Sequence, residues 1–145
     1  MTIATLNEIG IAFRTFMVDT IADRAVVLSE FEDCNPDARE IFVLSSVQPG
    51  NVDPGELGGR DGISVQNGVF LLNLSFARND IAIKKKSEEL AQDLANAFYR
   101  VDLITPSGAC VFCKEPYLTN VGTTPDGRMS LLVSVPWWAW TGGKK

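Results

Sequence analysis

The chain has 145 residues, 46% hydrophobic and 21% charged, and its 13 Lys plus Arg against 18 Asp plus Glu leave a net charge of -5. A chain of that length and balance is expected to form one domain, residues 1–145, that buries roughly two thirds of its unfolded surface, which excludes wholesale disorder. The acidic total argues against tight nucleic-acid binding, and apolar runs of four or five residues, such as Val69 to Leu72, fall far short of the roughly 20 that span a bilayer.

Histidine is absent, which removes Ser-His-Asp and Cys-His catalysis, histidine metal ligands and the usual proton carrier near neutral pH. Cys34, Cys110 and Cys113 are an odd number of thiols. They are too few for a structural zinc site and fit reduced cysteines better than a disulfide framework. The opening residues, MTIATLNEIG, lack a basic start followed by an apolar stretch, so a cytoplasmic protein is expected. Charge is uneven: residues 1–61 hold 11 acids and 4 bases, net -7, whereas residues 62–145 hold 7 acids and 9 bases, net +2. Such asymmetry lets one copy present a negative patch to a positive patch on its neighbour.

In chain order, Thr5 followed three residues later by Glu8 has capping-box spacing and opens the apolar series Leu6, Ile9, Phe13, Phe16, Met17 and Ile21. This pattern predicts an amphipathic helix from Leu6 to Asp23. Ala25 to Leu28 and Ile41 to Val47 read as two strands separated by the acidic segment Glu32 to Asp37, with an antiparallel hairpin as the simplest pairing. Pro49 to Gly62 holds five glycines and two prolines, which predicts a flexible loop at about 50–62. Asn67-Gly68 is a tight-turn signal between a short strand at Ile63 and Val65 and a long one from Val69 to Ala77. Apolar residues on both faces from Val69 to Leu72 mark that long strand as central and covered on both sides near one end.

Leu90, Ala91, Leu94, Ala97, Phe98 and Val101 define a second helix, capped by either Asp80 or Ser87. Thr105 to Gly108 and Thr123 to Gly127 read as turns, Cys110 to Cys113 as a short strand, and Met129 to Val135 as a last strand running into Pro136 and a tryptophan cluster. The expected fold is α+β: a mixed, mainly antiparallel sheet with two helices packed largely on one face.

Cys110-Val111-Phe112-Cys113 has redox spacing, but a strand turns its two thiols to opposite faces and away from any helix terminus, so these are expected to be structural cysteines. Gly55 to Gly62 lacks the phosphate-binding glycine patterns. It reads as a mobile loop or an interaction arm; a ligand-binding enzyme would have to use Asp53, Arg60 and Asp61 there. Lys84-Lys85-Lys86 is the one basic run, either a solvated face or a dock for an acidic partner. Trp138 and Trp140 share a strand face, for core packing or an intersubunit contact. The interaction candidates are thus Lys84, Lys85, Lys86, Arg60, Trp138 and Trp140, with no catalytic, cofactor or metal site expected.

The stretch Gly68-Val69-Phe70-Leu71-Leu72-Asn73-Leu74, continuing through Asn79-Asp80 into Ser87, Ala91, Leu94 and Phe98, and the later Gly127 to Trp137 segment resemble the tail terminator proteins of long-tailed bacteriophages. The resemblance covers roughly residues 3 to 138 as an order of elements. The chain departs from the family pattern at Asn79-Asp80, where a glycine-containing turn is usual. The resemblance implies a structural virion protein at the head-proximal end of the tail, assembled in the host cytoplasm. It would form a homo-oligomeric ring, commonly a hexamer, that caps the tail tube, ends its polymerisation and receives the head completion or stopper protein. DNA would pass through the ring without sequence-specific binding, and neither a cofactor nor a membrane partner is implied. The alternatives are another head-tail connector, an adaptor or stopper, and, from a different class, a small-ligand or nucleotide-binding enzyme.

Overall fold

The computed structural model describes residues 3–28, 40–54, 64–123 and 127–141. Among these, chain order runs α1 (Leu6–Ile21), β1 (Val26–Leu28), β2 (Phe42–Pro54), β3 (Ser64–Ala77), α2 (Ile81–Phe98), β4 (Asp102–Ile104), β5 (Cys110–Cys113), β6 (Tyr117–Thr123) and β7 (Arg128–Thr141). The strands form one sheet in the order β1-β2-β3-β7-β5-β4, with β6 also beside β7. Every pairing is antiparallel except that of β1 with β2. Both helices bury their apolar stripes against the same face of this sheet, giving the α+β architecture.

Helix α1 starts where the hydroxyl of Thr5 accepts a hydrogen bond from the Glu8 amide at 3.3 Å. It buries Ile9, Ala12, Phe13, Met17 and Ile21 at helical spacing. Leu6, expected in that stripe, is 48% exposed instead. The helix also stops short of Asp23, because Ala22 turns into the left-handed region at φ 52 and its amide bonds back to the Val18 carbonyl.

Three strand expectations are corrected. Strands β1 and β2 run parallel, Val26 opposite Phe42 and Leu28 opposite Leu44; the 13 residues between them (29 to 41) are long enough for the crossover that parallel strands need. Asn67-Gly68 is not a turn but lies inside β3, Gly68 between Pro49 of β2 and Trp137 of β7. The expected loop at 50–62 begins later, since β2 continues through a bulge between Pro49 and Val52 to Pro54. There the Gln66 side chain donates to the Gly50 carbonyl at 3.0 Å. Residues 55–63 lie outside the described residues, as does the acidic segment Glu32 to Asp37.

Strand β3 is central, as expected, but fully covered on the helix face alone. Phe70, Leu72, Leu74 and Phe76 are buried there, whereas Val69 and Leu71 on the other face are half-buried. Strand β7 continues past Pro136 through the tryptophan cluster to Thr141, and β4 and β6 are additional strands. Pro136 is tolerated for a geometric reason. Its carbonyl accepts from the Lys114 amide at 2.8 Å, so its missing N–H also points away from β3. That side is where β7 changes partner, from β6 up to Ser134 to β5 from Trp137 onward, so no ladder bond is lost.

An aromatic cluster ties the helices to the sheet. Phe13 stacks on Phe70 with centroids 4.2 Å apart and lies 5.9 Å from Phe98 and 6.1 Å from Trp137, while Phe16 meets Phe98 edge-on at 4.8 Å. Gly68 makes room for it: a Cβ there would stand 2.4 Å from Trp137 Cζ2 and 2.6 Å from the Gln48 carbonyl oxygen.

Two substitutions test this packing. Phe98→Ala should cost about 3 to 5 kcal/mol by opening a cavity, and Gly68→Ala about 1 to 3 kcal/mol by overpacking. Both are read as lower denaturant midpoints; an unchanged midpoint for Phe98→Ala would mean that α2 is phased differently.

Candidate functional site

The start of α2 positions the basic run. Asp80 is the cap, its carboxylate accepting from the Ile83 amide at 3.1 Å. Ser87, the other candidate, is buried about two turns later and donates to the Ile83 carbonyl at 2.8 Å. Lys84, Lys85 and Lys86 are therefore all in the first turns, and all are exposed. At 3.6 residues per turn, Lys84 and Lys86 project roughly 200° apart. Lys86 lines a depression with Asp23, Arg24 and Glu89, beside the ion pair of Arg24 with Asp93 at 2.8 Å. Lys84 and Lys85 share the other flank with Ile81, which is 85% exposed.

The tryptophans divide as period-two alternation requires. Trp137 is in the core, whereas Trp138 and Trp140 lie half-buried on the face without helices, their rings 5.6 Å apart. Phe112 stacks on Trp138 at 4.3 Å; sequence reasoning missed it, although its place between the buried Val111 and Cys113 was the signal. This aromatic platform and the lysines are not brought together. They occupy opposite faces of the sheet, near opposite ends of a strand about 30 Å long between Arg128 and Trp138. Arg60 and Asp61 lie outside the described residues, and Asp53 belongs to β2, opposite Val65.

Cys110 and Cys113 occupy opposite faces of β5, Cys110 half-buried and Cys113 buried. Burial first, then the Asp102 charge, raises both thiols, that of Cys113 to about 12. That is the reverse of a redox-active cysteine, whose thiolate is stabilised. No group of three or more cysteine, aspartate or glutamate side chains among the described residues is arranged to hold a metal ion. No helix among them is long and apolar enough to cross a membrane.

Past the carboxyl end of α2, a groove of about 390 Å³ opens between α1 and the terminal strand β4. Its apolar walls are Ile11, Phe16 and Ile104, with Asp19 and Asp102 among its lining residues. Ile11 is 43% exposed and Ile104 63%, and neither aspartate has a basic partner among the described residues. Nearby, Ser107 donates to the Glu8 carboxylate, which ties the β4–β5 turn to α1 and holds that carboxyl below its usual range.

Comparison with known proteins locates the fold and not the activity. No protein-family model matches the chain, and no curated protein does. Among solved structures, one protein whose name states no activity shares the fold with a TM-score of 0.67 at 18% identity, covering 97% of this chain and 99% of its own.

The thiol geometry predicts that at pH 8 a small alkylating reagent leaves Cys113 unmodified in the folded protein and modifies it after denaturation. Peptide mapping reads this directly. Rapid native modification of Cys113 would overturn the structural assignment.

Proposed function

We propose that the chain is a non-catalytic virion protein, a tail terminator whose copies form a ring on the head-proximal end of a phage tail tube. The observation that carries this reading is that the residues bearing the family resemblance form one packing unit. Gly68 admits the Trp137 ring, Phe70 lies 5.8 Å from Phe98, and Asp80 caps the intervening helix. The glycine-led strand, the helix ending in phenylalanine and the strand reaching tryptophan are thus physically interdependent. That supports reading them as a shared fold pattern and not as a coincidence of residue types.

The chemistry of the described residues agrees with an assembly role. Large apolar side chains such as Ile81, Ile104 and Val121 are exposed, as an assembling surface requires, and the thiols are unsuited to catalysis. On this reading the ring meets the tail tube protein on one side and a head completion protein on the other, and DNA passes through without base recognition.

Added to polymerising tail tube protein, the wild-type chain should arrest elongation and leave tubes of bounded length with a ring at one end in negative-stain micrographs. Tubes that elongate as they do without it, uncapped, would overturn the reading.

A further inference from the structure

The two ends of α2 carry complementary chemistry. At the amino end, Ile81 is the most exposed of the large hydrophobic side chains among the described residues, and Lys84 and Lys85 follow it at i+3 and i+4, forming one projecting knob. No acidic residue shares this first turn, and cations here oppose the positive end of the helix dipole. Neither lysine has an acidic partner among the described residues. An isoleucine in water between unpaired cations on the wrong end of a helix matches a surface that is both apolar and acidic.

Such a surface lies at the far end of the same chain. The groove between α1 and β4 has the exposed Ile11 and Ile104 as apolar walls and, as its acids, Asp19 and Asp102, which have no basic partner among the described residues. We propose that the knob of one copy seats in the α1–β4 groove of the next, Ile81 against Ile11 and Ile104, with Lys84 and Lys85 paired to Asp19 and Asp102. This rests on the ring reading above and deepens it by naming the subunit contact.

The knob opens α2, whereas Asp102 and Ile104 of the groove follow the other end of that helix, about 27 Å long, and among the described residues no ion pair joins the two sites within one chain. The contact joins different surfaces of successive copies. A head-to-tail contact of this kind propagates, closing into a ring where its rotation allows. Lys86 is excluded from it, because it faces the flank that already holds Asp23 and Glu89. The sequence asymmetry has the same sense for one of the two acids: Asp19 belongs to the stretch with net charge -7, whereas Asp102 shares the net +2 stretch with the lysines.

Two charge-reversed variants test the contact, Lys84→Glu with Lys85→Glu on the knob and Asp19→Lys with Asp102→Lys in the groove. Light scattering after size exclusion and sedimentation velocity read assembly, and circular dichroism checks that each variant folds. Each variant alone should associate roughly tenfold or more weakly than wild type. An equimolar mixture should recover assembly, because the glutamate knob meets the lysine groove and the lysine knob meets the aspartate groove. The protein with all four changes should assemble by itself. Folded variants that each assemble like wild type, or a mixture that recovers nothing, would overturn the contact and leave the ring standing. Open filaments that obey the same mixing rule would keep the contact and overturn the ring. A wild-type chain that stays monomeric at every concentration would overturn both.

Discussion

A missing Cβ at position 68 sets the geometry of the core. The Trp137 indole packs so closely on β3 that a methyl group there would stand 2.4 Å from its ring and 2.6 Å from the Gln48 carbonyl oxygen. Phe13, Phe70 and Phe98 then close around the same cluster, which brings α1, α2 and the sheet to one point. The arrangement has a cost, since the buried indole nitrogen Nε1 finds no hydrogen-bond partner among the described residues. An unsatisfied buried donor costs about 1 to 3 kcal/mol. A buried aromatic side chain of about 150 to 250 Å² contributes roughly 4 to 6 kcal/mol at 25 cal/mol per Å², so burial wins.

Strand β7 converts this local packing into a whole sheet. It pairs with β3 along its full length and with two strands in succession on its other side, β6 and then β5. At its amino end Arg128 is fully buried, with its guanidinium over the Phe42 ring at 5.0 Å. Arg128 donates to the Ser75 hydroxyl at 2.8 Å and to the Glu40 carbonyl at 2.9 Å. One step along, Ser130 donates to Asn73. A buried guanidinium is tolerated where its donors are met, and here they clamp β2, β3 and β7 together at the end opposite the tryptophans.

How much of this was legible in the sequence depended on whether the signal was local. Both helices were readable because a cap and a 3.6-residue stripe lie within one segment, as at Thr5 with Ile9, Phe13 and Met17. The exposure of Leu6 was not, because it depends on how the start of α1 sits beside β2, where Leu6 lines a depression with Ser45 to Gln48. Asn67-Gly68 misled for a physical reason: glycine serves tight turns and close approaches equally, and only its partner Trp137, 69 residues away, decides which. The β1–β2 direction was hidden in the same way, since a connection of 13 residues permits either sense. Among the candidate site residues, alternation placed Trp138 and Trp140 on one face correctly, whereas the division of the three lysines needed the register of α2, which the choice between Asp80 and Ser87 had left open. Asp19 and Asp102 carried no signal of their own, because only the packing of α1 against β4 makes them neighbours of one groove.

Helix α2 therefore serves two demands that its sequence keeps apart. From Ser87 to Phe98 it is consistent at every level, with Leu90, Ala91, Leu94 and Ala95 buried on one stripe and a phenylalanine anchored in the aromatic cluster. Its first two turns break the rules that the remainder obeys, with an isoleucine left in water and lysines where acids are favoured. Stability of the isolated chain does not call for that arrangement. Leucine or alanine at the buried positions and aspartate or glutamate in the first turn would satisfy folding equally well. Local conflict confined to one exposed end, beside an otherwise consistent helix, is where selection for contact and selection for folding separate. On the assembly reading, the unfavourable charges of the free subunit are what its neighbour's aspartates neutralise, so the same residues weaken the monomer and favour its addition to a growing ring.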